Sequence, residues 1–276
     1  IHLSDLHIGN KCQNGLLSQT KKIVFDDIRF MISKIEKIDI VFFSGDFVQQ
    51  GAQYEYLLLD DFLKELWELF NSFDQAPYLL CVPGNHDLER ILDENDPTQK
   101  ILTNMTNEDI KDGYFWEKPN AYLSFIEDRF RNYSNWLERS TFPKPDNLVK
   151  GYLPGDFACS LKINELSIGV VGLNSTFLQL NGDNYLNKLG IYNQQIFSLF
   201  GQGYFEWLGK HDFSLLMTHQ SPEWYESKSL KEYHDEIYTK DSFLEHLCGH
   251  MHEPITTVNS VNGFPSKRVN LCPSLF

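Results

Sequence analysis

Five short clusters of polar residues could do chemistry together: Asp5-Leu6-His7, Gly45-Asp46, Gly84-Asn85-His86-Asp87, Thr218-His219 and Gly249-His250-Met251-His252. Asp-x-His and Gly-Asp are common in any chain and say little alone. Gly-Asn-His-Asp is expected by chance in only a few in about a thousand chains of this composition, so its appearance in order with the other four carries the argument. Five of the nine histidines fall in these clusters.

Imidazoles and carboxylates with no cysteine among them form a borderline nitrogen/oxygen donor set, suited to manganese, iron, nickel or zinc rather than to a thiolate-bound metal. Two divalent cations about 3.5–4 Å apart need a carboxylate that reaches both, with neutral imidazoles around it. Asp46 is the expected bridge. Asp5, His7 and His252 are expected at one cation and Asn85, His219 and His250 at the other, with manganese the first expectation for the pair. Side chains two residues apart on an extended backbone point the same way, which suits Asp5 with His7 and His250 with His252. The glycines before Asp46, Asn85 and His250 are expected to let the chain turn sharply at strand ends.

Such a pair activates a water for in-line attack on phosphorus. His86 is not needed as a ligand and can donate to the phosphate or protonate the leaving oxygen, so Asn85 and His86 are the expected substrate contacts and His86 the expected general acid. Asp87 is expected to orient His86 and keep it protonated. Singly, each residue has a plainer reading: Asp5 or Asp46 as a capping carboxylate, Asn85 as a turn residue, His219 as a core histidine. Only the complete set overrides those. His2, His211, His234 and His246 read as structural or exposed.

The elements that must position these residues alternate in the first half. Strands are predicted at Ile1–Ser4, Asp39–Ser44 and Tyr78–Val82, and helices at Leu16–Ile38 and Tyr54–Phe73, the pattern of βαβ units with parallel strands. The second half reads as strands at Ala158–Ile163, Ser167–Leu173, Phe213–Thr218, Leu244–Cys248, Ile255–Val261 and Lys267–Leu271, with Asn262-Gly263 as a hairpin turn. Between them, about 92–157, the pattern breaks around Asn95-Asp96-Pro97, Lys118-Pro119 and Pro143-Lys144-Pro145. This stretch is read as a helical cap inserted in a single domain spanning 1–276, with one aromatic helix from Ala121 to Arg139. The plainer reading of that helix is packing on the core.

The 276 residues carry 24 Lys plus Arg against 38 Asp plus Glu, a formal net charge of −14. A surface this acidic repels polyanions and argues against broad nucleic-acid binding, while bound cations would still attract a phosphate locally. No apolar run approaches about 20 residues, so no membrane span is predicted. Five scattered cysteines without metal-finger spacing, Cys12 among them, read as reduced thiols of a cytoplasmic protein. Ile1 falls inside a predicted strand and Phe276 just after one, so a longer chain with a further domain beyond Phe276 is expected.

The clusters resemble the calcineurin-like metallophosphoesterase superfamily, whose pattern is D-x-H, GD, GNH[D/E], H and G-H-x-H. The resemblance runs from Asp5 to His252 apart from the insert. It implies an α/β fold, a four-layer α/β/β/α sandwich of two mixed sheets, and the same ligand assignments. Gly45-Asp46-Phe47-Val48-Gln49-Gln50-Gly51 with Tyr54-Glu55-Tyr56, and Gly172-Leu173-Asn174-Ser175, look most like the Icc-type cyclic nucleotide phosphodiesterases. That implies a phosphodiesterase acting on a nucleotide. Two alternatives stand beside it. One is a nuclease effector domain of a multidomain bacterial defence protein, acting on DNA or RNA with Lys21-Lys22, Arg129, Arg131 and Lys144 as its thin basic surface. The other is a catalytically silent scaffold.

Overall fold

A computed structural model describes residues 1–10, 17–90, 96–105, 113–117, 120–259 and 267–275. Cys12, the Lys118-Pro119 break and the Asn262-Gly263 turn lie outside them. Three strands, β1 (His2–Leu3), β2 (Ile40–Phe43) and β3 (Tyr78–Cys81), form a parallel sheet in that order. The crossover helices α1 (Leu17–Ile32) and α2 (Gln53–Asn71) join them. The second sheet is mixed, in the order β4 (Val149–Lys150), β5 (Phe157–Ile163), β6 (Leu166–Gly172), β7 (Phe213–Met217), β8 (Glu245–Cys248), β10 (Lys267–Leu271), β9 (Ile255–Asn259). β6, β7, β8 and β10 run parallel, and β9 pairs antiparallel to β10, as a hairpin requires.

Strand periodicity explains how the sheets stack. Ile40, Leu80 and Val82 from one sheet bury against Phe157, Cys159, Val170, Met217 and Leu247 from the other. The alternate residues Val41, Phe43, Leu79 and Cys81 point the opposite way, onto α1 and α2. Ala158, Val171 and Leu216 do the same on the far side, onto α6 (Asn193–Phe200), α7 (Tyr204–Leu208) and residues around α8 (Ser227–Glu232). The result is the predicted four-layer α/β/β/α sandwich, with period-2 side chains filling both inner and outer seams.

The middle segment holds α3 (Pro97–Thr103), α4 (Ala121–Arg129) and α5 (Arg131–Arg139). The single predicted helix is two helices, broken at Phe130 (φ −93°, ψ 11°). The Arg129 carbonyl accepts the Glu89 N–H at 2.8 Å instead of continuing the helical ladder. The aromatic side chains pack inward, with Tyr133 and Trp136 joining the α2 core and Ile126 and Phe130 packing with Leu88 and Phe177. The first helix also ends six residues earlier than expected. Beyond Ile32 the chain tightens into turns, and the Gln75 side chain takes the Ile38 N–H at 3.0 Å. The short helices α6 to α8 were not visible in the sequence pattern.

Cys81, Cys159, Cys248 and Cys272 are buried free thiols. Among the described residues, no helix is long and apolar enough to cross a membrane.

Candidate metal centre

Each polar cluster lies just past the carboxyl end of a parallel strand: residues 5–7 after β1, 45–46 after β2, 84–87 after β3, 218–219 after β7 and 249–252 after β8. Parallel strands end at a common rim, so five segments far apart in sequence meet in one crevice. All seven residues expected to bind cations are brought together there.

They form two groups sharing one carboxylate. In the first, His252 Nε2 is 3.3 Å from Asp5 Oδ1 and 3.4 Å from His7 Nε2, and His7 Nε2 is 3.8 Å from Asp5 Oδ1. In the second, His219 Nε2 is 3.2 Å from Asp46 Oδ2, 3.2 Å from Asn85 Oδ1 and 3.3 Å from His250 Nδ1. Asp46 Oδ2 also lies 3.8 Å from His7 Nε2, so one aspartate joins the two.

These contacts are poor hydrogen bonds and good ligand edges. Atoms held about 2.1 Å from a common cation sit roughly 3–3.5 Å from one another. His219 Nδ1 lies 2.7 Å from the Ser44 carbonyl, which can only accept, so Nδ1 carries a proton and Nε2 is the atom at which a cation would replace the proton otherwise shared with Asp46. Asp5 Oδ1 is buried with no well-formed hydrogen bond. A buried carboxylate oxygen and converging imidazoles are costly to hold together without positive charge among them, which a cation would supply. The donor set therefore fits divalent metal.

Electrostatics agree. Burial opposes ionisation of Asp46, but the His219 charge and hydrogen bond outweigh it and hold the carboxyl well below its usual range. Burial likewise opposes protonation of His219, yet Asp46 and then Asp5 push its pKa up to about 9. The crevice is thus a strongly negative field that a cation would neutralise. Burial pushes His250 down to about 3, leaving it neutral as a ligand must be.

The local backbone differs from the expected extended form. Asp5, His7, Asp46, His250 and His252 all adopt left-handed φ, between 47° and 72°. Each such non-glycine residue costs about 1–2 kcal/mol, and strain of this kind gathers at functional sites. The backbone is held in place by Asp5 N–H to the Gly45 carbonyl and by Leu6 and His7 N–H to the Asp46 carbonyl. Of the three glycines expected to turn the chain, Gly45 has positive φ (99°). Gly84 is required for another reason: a β-carbon there would lie 2.1 Å from Asp46 Oδ1.

His86 stands beside this pair. Its ring meets His7 edge-on at 4.7 Å, and its Nδ1 lies 2.7 Å from the Gln49 carbonyl, so Nε2 is turned away from that carbonyl. The expected Asp87–His86 contact is not what forms. Asp87 is fully buried, and its two oxygens accept N–H groups of Asp46 (2.8 Å), Phe47 (3.0 Å), Val48 (3.2 Å) and Gly84 (2.7 Å). Burial, reinforced by the Asp46 charge, pushes its carboxyl upward, and the backbone donors of Gly84 and Val48 oppose that. Asp87 ties the loops after β2 and β3 into one frame, and the Gln49 carbonyl orients His86.

Sequence reasoning missed the supporting partners. Gln220 Oε1 accepts the Ser175 hydroxyl at 2.6 Å, and its Nε2 donates to Gln179 at 2.8 Å and leans on Asn85 Oδ1 at 3.5 Å. Trp224 meets the His250 ring edge-on at 4.3 Å. Adjacency to His219 was the one available signal for Gln220; backbone carbonyls leave none. His246, expected to be structural, is buried between Thr218 and Tyr233 hydroxyls.

A parallel-strand crevice lined with imidazoles and carboxylates around a shared aspartate defines the site of a metal-dependent phosphoesterase. The sequence pattern of the calcineurin-like phosphoesterases matches residues 1–254, and the chain belongs to that family. No curated protein matches its sequence. Weak likenesses extend to solved structures. A Staphylococcus aureus protein designated a candidate 5′-nucleotidase is 14% identical with a TM-score of 0.47, the match covering 99% of this chain and 48% of that one. The phosphopantetheinyl hydrolase of Mycobacterium tuberculosis is 12% identical with a TM-score of 0.42, over 99% of this chain and 89% of that one. The chain thus spans about half the length of the first of these relatives.

Proposed function

We propose that the protein is a dinuclear-metal phosphodiesterase acting on a nucleotide-type substrate. The observation that carries this reading is Asp46 Oδ2, 3.2 Å from His219 Nε2 and 3.8 Å from His7 Nε2, at the junction of two donor groups. Asp5, His7 and His252 would hold one cation, Asn85, His219 and His250 the other, with Asp46 between them and manganese the expected metal. When bound, such a pair supplies positive charge for the phosphate and lowers the pKa of water toward neutrality.

The chain's own residues do the rest. Ser44 and Gln49 carbonyls fix the ring orientations of His219 and His86. His86 Nε2, turned away from Gln49, donates to a phosphate oxygen or to the leaving oxygen, and Asn85 beside it helps seat the phosphate. The half-exposed His252 marks the side open to solvent. Phe115 and Phe130 of the middle segment pack in one cluster with Leu88, next to Asp87, and support the frame of the site from that side.

A polymeric nucleic-acid substrate lacks support of this kind. Lys21 pairs with Glu65, Arg129 and Arg131 pair with Asp128, and Lys144 donates to the Leu137 and Ser140 carbonyls. The sequence elements that resemble Icc-type enzymes favour a small nucleotide diester. Manganese-dependent hydrolysis of bis-p-nitrophenyl phosphate, well above that of p-nitrophenyl phosphate and abolished by chelation, is the expected result. Preference for the monoester would count against the diesterase reading.

A further inference from the structure

Beside the metal centre lies a recess of about 260 Å³, lined by Gly9, Asn10, Gln49, Gln50 and Tyr54. Both walls continue segments of the site. Ile8, next to His7, bridges to Val48, and Gln49 N–H donates to the Ile8 carbonyl at 2.9 Å. Gln49 also carries the carbonyl that orients His86, and its side-chain amide lies 3.4 Å from the same ring nitrogen. A substrate whose phosphate sits at the cations and against His86 therefore has this recess within reach of the group it carries.

Among its described lining residues none carries a formal charge. The Gln49 and Gln50 carboxamides offer both donors and acceptors, and one aromatic ring, Tyr54, is 53% exposed on the rim. The Glu55 carboxylate behind this wall is already engaged: one oxygen accepts N–H groups of Gln50 (2.9 Å) and Ala52 (3.1 Å), and the other packs against Gly9 and accepts the Tyr54 hydroxyl at 3.4 Å. Carboxamides in pairs match the mixed donor–acceptor edge of a heterocycle, whereas an anion would call for Lys, Arg or a nest of N–H groups. An exposed ring matches a π-face. Resting on the nucleotide reading above, we propose that this recess is a nucleobase subsite, with Tyr54 as the stacking platform and the carboxamides of Gln49 and Gln50 reading the base edge.

Calorimetric titration of the manganese-loaded protein with AMP and with ribose 5-phosphate compares ligands that differ only by the base. AMP is expected to bind roughly tenfold more tightly, in line with base stacking on a single aromatic ring. Tyr54→Ala should bring AMP to within about threefold of ribose 5-phosphate while leaving ribose 5-phosphate unchanged, and Tyr54→Phe should keep most of the preference. Equal affinities in the parent protein, a preference that survives Tyr54→Ala, or a parallel loss for both ligands would overturn the subsite. Hydrolysis of methyl p-nitrophenyl phosphate, which has no base, checks the esterase reading separately. If that fails while the AMP preference holds, the subsite stands and the esterase falls.

Discussion

Replacing Asp87 by Asn tests whether this carboxylate is a frame or a catalytic partner. In the structure its Oδ2 accepts the Asp46 and Gly84 N–H groups and its Oδ1 the Phe47 and Val48 N–H groups. An asparagine keeps one oxygen and points an NH₂ at the other two donors. Two buried N–H groups are then orphaned, at roughly 1–3 kcal/mol each, so Asp87→Asn should destabilise by about 2–6 kcal/mol. For a domain of this size that is a fall in Tm of roughly 5–20 °C. The same change loosens the backbone at Asp46, so manganese affinity should drop with stability. Thermal unfolding of the chelated protein reads the first effect and calorimetric metal titration the second. If Asp87 instead oriented His86, stability and metal affinity would hold while the pH profile of kcat moved. That outcome, or a loss under about 0.5 kcal/mol, would refute the framing role.

Three further expectations follow from other residues. Gly84→Ala places a β-carbon 2.1 Å from Asp46 Oδ1, so it should displace the shared carboxylate and abolish binding of at least one manganese per chain, measured by elemental analysis after loading. His86→Ala should retain the metals but lose about 10²–10⁴-fold in kcat, as removal of a general acid does; equal rates in the two proteins would exclude that role. Asp156 is buried, which raises its carboxyl to about 7 against the N–H groups of Asn174 and Leu153 and the Gln195 amide. Its folded pKa lies above its unfolded one, so the folded chain holds an extra proton between about pH 4 and 7, and stability falls as pH rises through that window. Urea titrations at pH 5 and 7 should show this slope in the parent protein and lose part of it in Asp156→Asn; identical slopes would contradict the shift.

The fold and the meeting of the five polar clusters at one rim could be read from the sequence because both follow from short-range patterns. Apolar runs of four to six residues separated by helical periodicity placed nearly every long strand, and each polar cluster sits where such a run stops. The helix breaks could not be read that way. The interruption at Phe130 depends on a carbonyl taken by Glu89, and the early end of α1 on a side chain 37 residues away, Gln75 to Ile38. The same holds within the site. Asp87 next to His86 in sequence invited a carboxylate–imidazole pair, yet the backbone N–H groups of the loops after β2 and β3 take both of its oxygens. The extended geometry assumed for Asp5/His7 and His250/His252 failed for the same reason. Those residues sit in strained loops whose conformation is set by contacts between segments, such as His250 N–H to Asp5 Oδ2 at 3.0 Å.

Asp46 is expected to be shared by two cations. Anomalous diffraction from manganese-soaked crystals tests it directly, with Asp46→Asn beside the parent protein. Two manganese peaks about 3.5–4 Å apart, flanking Asp46 and reduced or lost in the variant, are expected. A single peak, or two peaks on separate donor groups with Asp46 touching only one, would contradict it.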